Sequence, residues 1–158
     1  MYTQQQRQAM IDRLAHLPAQ LEALVWNLSE DELFTHYLAG EWSVAQIVHH
    51  LADSHMNSFI RLKRLLTEEQ PPLLPYDQDA WALRADADQV SIQVSLLLLR
   101  CLHRRWVILF ESLQEDEWLR TGLHPTIGSI SIEDLLRSYA EHGENHLAQI
   151  TKTLTAHQ

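Results

Sequence analysis

Apolar residues recur at three- and four-residue steps along four long stretches of the chain, the period of helices that bury one face. The first stretch, from about Gln4 to Leu28, puts Met10, Leu14, Leu17, Leu21, Leu24, Val25 and Leu28 on one stripe. Pro18 lies inside it and predicts a kink or a break, because proline brings no N–H to the helical ladder. A second stretch begins at Ser43, where Ser-Val-Ala-Gln reads as a capping box, and runs to about Leu66. Pro71, Pro72 and Pro75 forbid its continuation. The third covers about Ser91 to Leu113, and its Leu-rich centre predicts burial on most sides. The fourth starts near Ser131, with Asp134 three residues on, and runs to about Thr155.

Two long connections separate these stretches. One holds a short helical pattern at Asp77 to Leu83; the other, Thr121 to Ile130, contains Gly122, Pro125 and Gly128 and predicts a small hairpin or an irregular loop. The expected fold class is all-α: a four-helix bundle with long crossover connections. A weak internal echo supports two hairpins of similar plan. Asn27-Leu-Ser-Glu-Asp-Glu-Leu33 follows the first helix and Ser112-Leu-Gln-Glu-Asp-Glu-Trp118 the third, each leading to a serine cap and a histidine-bearing helix.

With 158 residues and 46% apolar content, residues 1–158 are expected to form one globular domain. A net charge of −9 opposes nonspecific attraction to nucleic acid, and no basic cluster alternates with aromatics. The single cysteine, Cys101, excludes an internal disulfide framework and a cysteine-cluster metal site, and reads as a small core residue. The most apolar run, from Leu96 to Phe110, is interrupted by Arg100, His103, Arg104 and Arg105 and is no membrane span. No charged-then-apolar leader opens the chain, so a cytoplasmic location is the expectation.

Chemistry enters through histidine. His142 and His146 are four residues apart, so on a helix both imidazoles can reach one ion. On a wheel of about 100° per residue they fall at the edge of, and inside, the arc of Leu135, Leu136, Tyr139, Gly143, Leu147 and Ile150. A third imidazole would complete a three-nitrogen site with vacant positions, as catalytic metals use. The segment His49-His50-Leu-Ala-Asp-Ser-His55 supplies candidates. His55 sits at the centre of the Val44, Val48, Leu51 and Leu62 stripe; His50 heads a polar line with Ser54, Asn57 and Arg61. Periodicity leaves His50 and His55 close to even. His103 beside Arg104, Arg105 and Trp106 reads as a helix face with snorkelling arginines, and His124 as a loop residue.

Other chemistries lack their residues. There is no Glu-x-x-His pair for a di-iron bundle, no His-Glu-x-x-His, no phosphate-binding glycine loop and no Gly-x-Ser-x-Gly elbow.

The stretch from Glu41 to Arg61, with Glu-Trp-Ser-Val-Ala-Gln at its head and His-His-Leu-Ala-Asp-Ser-His at its centre, resembles the signature of the DinB/YfiT-like metal-dependent proteins. Pro75-Tyr-Asp-Gln-Asp-Ala-Trp81, Leu102-His-Arg-Arg-Trp106, His124-Pro125 and the terminal His142-x-x-x-His146 follow in the same order as in its YfiT branch. The resemblance implies a four-helix bundle holding one metal on three histidines, here His50, His142 and His146. It implies a metal-dependent hydrolase or, as in relatives that use bacillithiol or mycothiol, a thiol S-transferase, and a homodimer. Glu144, Asn145 and Gln149 depart from the pattern, standing where relatives are richer in histidine.

Three neutral imidazoles suit zinc or nickel and disfavour magnesium and calcium. One such ion per chain would activate either a water or a low-molecular-weight thiol, and nothing in the sequence separates the two. Asn57 and Arg61 are candidate contacts to a small-molecule substrate. A non-catalytic, metal-stabilised helical binding module is the third reading; it needs a fourth protein ligand, for which His55 and Asp53 are candidates. Since free imidazoles titrate near 6.5, metal affinity is expected to fall below about pH 6.

Overall fold

The computed structural model describes residues 1–156. Four long helices carry the fold: α1 (Gln4–Val25), α3 (Val44–Thr67), α6 (Ile92–Glu111) and α7 (Ile132–Thr155), with short helices α2 (Glu30–Phe34), α4 (Gln78–Ala82) and α5 (Ala85–Gln89) between them. Their starts are set chemically. Thr3, Ser29, Ser43 and Ser131 each accept a hydrogen bond from a backbone N–H one turn on, and Gln6, Glu32, Gln46 and Asp134 reach back to complete four capping boxes. Asp77 caps α4, whose helical pattern was expected; α5, uncapped by a side chain, was not.

The helix α1 runs unbroken through Pro18, contrary to the expected kink or break. Proline leaves the carbonyl of Leu14 without its donor four residues on, and that oxygen accepts instead from His103 Nδ1 at 2.7 Å. A partner from outside the helix therefore takes the orphaned position.

The main packing pairs are α1 with α7 and α6, and α3 with α6 and α7. The consecutive long helices α1 and α3 thus face each other across the bundle, and the long connections follow from that crossover. Between α6 and α7, a 3-10 turn (Glu117–Leu119) leads to the hairpin of β1 (Thr121–His124) and β2 (Gly128–Ser131), paired antiparallel from Thr121 with Ser131 to His124 with Gly128. Leu73 N–H donates to the Leu123 carbonyl and Leu123 N–H donates to the Pro71 carbonyl, tying the α3–α4 connection to β1. A Cβ at Gly122 would stand 2.7 Å from the Pro71 carbonyl, so glycine permits that approach.

Two apolar clusters fill the bundle. One gathers Leu14, Phe59, Leu62, Trp106, Phe110 and Leu136; the other gathers Leu21, Val48, Leu51, Leu96, Leu99 and Ile150. Between them lies a layer that includes the buried Ser54, His55, Ser58 and His103. The third helix is less enclosed than its composition suggested. Val94, Leu97, Leu98 and Ile108 are exposed along α6, and Cys101, expected in the core, is exposed with them. None of the described helices is long and apolar enough to cross a membrane.

Candidate metal centre

Packing of α3 against α7 brings His50 to the His142–His146 pair. His142 Nε2 lies 3.3 Å from His50 Nε2 and 3.1 Å from His146 Nε2. One ligand atom from each of the three lies within 4.8 Å of the others. His50 is buried, while His142 and His146 are half-buried and leave the cluster open on one side. A neutral imidazole has one donor and one acceptor, so one hydrogen cannot serve all of these close contacts. A cation accepts every lone pair at once. Zinc–nitrogen bonds of about 2.0–2.1 Å in a tetrahedral arrangement separate ligand nitrogens by about 3.3 Å, which fits the two short distances.

The rings are oriented from behind. His146 Nδ1 lies 2.7 Å from Gln149 Oε1, and the Trp42 ring packs 4.7 Å from that of His50. His142 Nδ1 lies 3.1 Å from His55 Nε2, and His55 Nδ1 lies 2.8 Å from His103 Nε2. Burial pushes the imidazolium of His50 down to about 4 and that of His142 to about 3, with repulsion from neighbouring imidazoles adding to it. Burial also lowers His146, against the opposing hydrogen bond that its Nδ1–H donates to Gln149. All three present lone pairs at neutral pH. These imidazoles resist protonation where free ones do not, so a cation held on them would be lost at a lower pH than the value of about 6 expected for free imidazoles.

A cavity of about 380 Å³ opens beside His142, lined by Arg61, Tyr139, Arg137, Ser138 and His124 among others. Arg61 donates to the Leu74 carbonyl at 2.7 Å, with Tyr139 Oη at 3.5 Å. Asn57, the other residue marked for substrate contact, turns its amide back to the Asp53 carbonyl at 2.9 Å. His49 faces the opposite way, toward Ser95 Oγ at 2.8 Å and the Val90 carbonyl at 3.2 Å.

His55, evenly matched with His50 on periodicity, is fully buried and stands behind His142 rather than among the three converging nitrogens. Asp53 is likewise outside that group; burial, then the charge of Asp86, pushes its carboxyl up to about 6. His103 was missed. Read as part of an arginine-bearing face, it points inward while Arg105 covers Phe59. A signal existed, since Leu99, His103, Trp106 and Phe110 share one helical stripe. His124 does more than fill a loop: its Nδ1 accepts from the N–H groups of Thr126 and Ile127 and its ring lines the cavity. Gln149 and Glu144, noted as departures from the family pattern, orient His146 and pair with Arg13, respectively.

A helical bundle that gathers three imidazoles at the seam of two helices belongs to a recognisable class, and comparison with known proteins names it. The model of the DinB superfamily matches residues 4–150, and the chain belongs to that superfamily. It is 45% identical over 141 residues to a protein of Oceanobacillus iheyensis named "putative metal-dependent hydrolase", covering 89% of this chain and 81% of that one. A Bacillus pumilus protein of the same name is 39% identical over 157 residues, covering 99% and 89%. The solved structure of YfiT from Bacillus subtilis, described as a probable metal-dependent hydrolase with an unusual four-helix bundle topology, superposes with a TM-score of 0.94. It is 40% identical and covers 97% of this chain and 88% of that one.

Proposed function

We propose that the protein is a metal-dependent hydrolase in which His50, His142 and His146 hold one divalent cation, zinc or nickel. The carrying observation is the convergence of three imidazole nitrogens, neutral at physiological pH, beside an open cavity. The names of its relatives point the same way. When bound, such a cation is a Lewis acid that brings the pKa of a water toward about 7. The chain's residues supply the rest. Gln149 and His55 hold the ligand rings, and Arg61 places positive charge at the cavity for an anionic group of a small-molecule substrate, whereas Arg137 there is paired with Glu141.

The Arg61 guanidinium also favours a second reading. A low-molecular-weight thiol bearing carboxylates would fit beside Arg61, and the same cation would favour its ionised form for S-transfer to an electrophile. No fourth His, Cys, Asp or Glu joins the three among the described residues, which disfavours a closed, purely structural metal. Val94, Leu97, Leu98 and Ile108 give α6 an apolar outer stripe suited to a second copy of the chain, and the exposed Cys101 thiol suits a reducing cytoplasm.

Metal analysis of the purified protein, followed by ester hydrolysis and thiol-transfer assays, tests this assignment. One equivalent of metal and ester turnover are expected, both lost in His146→Ala with helix content kept. Turnover that survives complete chelation would refute the metal-dependent reading. Metal retained without either activity would favour the non-catalytic binding module.

A further inference from the structure

Of the two buried histidines behind the three-histidine cluster, His55 touches the His142 ring, whereas His103 has no role in the function proposed above. His142, His55, His103 and the Leu14 carbonyl form an unbroken line of contacts of 3.1, 2.8 and 2.7 Å. Each contact joins a ring nitrogen to the next acceptor or donor, and His55 and His103 are almost fully shielded from solvent.

We propose that Pro18, His103 and His55 form a positioning relay that holds His142 in the one tautomer able to ligate a metal through Nε2. The inference rests on His142 being a ligand, and the deduction proceeds from the far end. A carbonyl oxygen can only accept, so His103 Nδ1 carries the hydrogen. A neutral imidazole has one such hydrogen, which leaves His103 Nε2 a bare acceptor. His55 Nδ1 must then donate to it, and His55 Nε2 must accept from His142 Nδ1. The remaining nitrogen of His142, Nε2, is left with its lone pair aimed at His50 and His146. Both rings are shielded from solvent and have only one another, His142 and a backbone carbonyl as partners along the line, an environment that disfavours an extra proton and so preserves its polarity.

The starting point is the proline. In an uninterrupted helix the Leu14 carbonyl would accept from the N–H four residues on, and Pro18 has none. The helix thus presents an acceptor to α6 where an ordinary helix would present a satisfied group. The line also ends there. A carbonyl cannot pass a proton onward, so it orders tautomers and is not a conduit to solvent.

Two-bond proton–nitrogen correlation spectra of histidine-labelled protein, recorded near neutral pH with and without zinc, read the tautomers directly. His142, His55 and His103 are each expected to carry Nδ1–H in both states. Nε2–H on His55 or His103 overturns the relay, even if zinc binds through His142. If the parent protein binds neither zinc nor nickel, the three-histidine reading falls, and the relay loses its purpose with it.

Variants separate polarity from packing. Glutamine at this place can accept from His55 through Oε1 and donate to Leu14 through Nε2. His103→Gln is therefore expected to keep zinc affinity close to the parent value, whereas His103→Leu, of similar size, lowers it about tenfold, as loss of a supporting hydrogen bond does at other metal sites. Equal affinities in the two variants would overturn the relay. Should both variants fail to fold, the parent tautomers alone decide. Pro18→Ala, which restores the missing N–H, is expected to weaken the His103 bond and shift its Nδ1–H resonance upfield; an unmoved resonance removes proline from the relay.

Discussion

Two adjacent histidines, His49 and His50, illustrate what one step along a helix decides. About 100° of rotation sends His50 to His142 and His146 and sends His49 to Ser95 and Val90. His50→Ala is therefore expected to lower metal affinity by at least tenfold more than His49→Ala, measured by competition with a chromophoric chelator; the reverse order would mean that the α3 register is wrong. At this scale protonation also sets stability. Burial holds His103 at about 4 in the folded chain, against about 6.5 when unfolded. The unfolded state then takes up its proton first as pH falls. The stability present above about pH 6.5 is lost toward pH 4, by about 3 kcal/mol for this group alone, and the loss levels off below that. Urea unfolding of the metal-free protein should show this decline, and a midpoint unchanged from pH 7 to about 4.5 would contradict neutral buried histidines. Metal binding should persist to lower pH than free imidazoles would allow, because burial lowers His50, His142 and His146 alike, and a loss already complete near pH 6 would contradict this.

Elements are held in place by polar contacts as well as by apolar clusters. Arg7, on the first turn of α1, is buried and pairs with Glu133 at the start of α7, at 2.6 Å, and with Glu115 at 2.9 Å. Glu133 is itself buried, so removing it leaves a guanidinium in a poorly solvated place with only an exposed partner. Glu133→Leu is expected to cost about 3 kcal/mol in chemical unfolding without displacing the histidine cluster at the far turns of α7. A loss below about 0.5 kcal/mol, the size of an exposed pair, would show that Glu115 and water replace it fully. Gly143 serves the same helix pair differently. A Cβ there would meet Leu17 Cδ2 at 2.6 Å, so glycine between His142 and His146 lets α7 lie close on α1.

Across the whole molecule the three-histidine cluster joins α3 to α7 at the level where the two apolar clusters give way to polar side chains. A cation bound only by the folded arrangement stabilises it by mass action, by about 4 kcal/mol when the free metal exceeds its dissociation constant about a thousandfold. Stripping the metal with a chelator should lower the unfolding midpoint, and restoring zinc or nickel should recover it. An unchanged midpoint in a protein shown to contain metal would mean that the ion sits at a surface site and not at this seam.

Much of this plan was legible in the residues themselves. The 3.6-residue periodicity, the serine caps and the proline clusters located the four long helices because those signals act within a turn or two of chain. His142 and His146 were legible for the same reason, being neighbours on one helix. The choice of His50 over His55 was not, since it depends on how α3 is rotated against α7, a property of packing between segments about ninety residues apart. Pro18 in an intact helix and His103 turned inward were misjudged together. Each is costly alone, one by an orphaned carbonyl and the other by a buried imidazole, and each becomes stable only when the fold brings them within hydrogen-bonding distance.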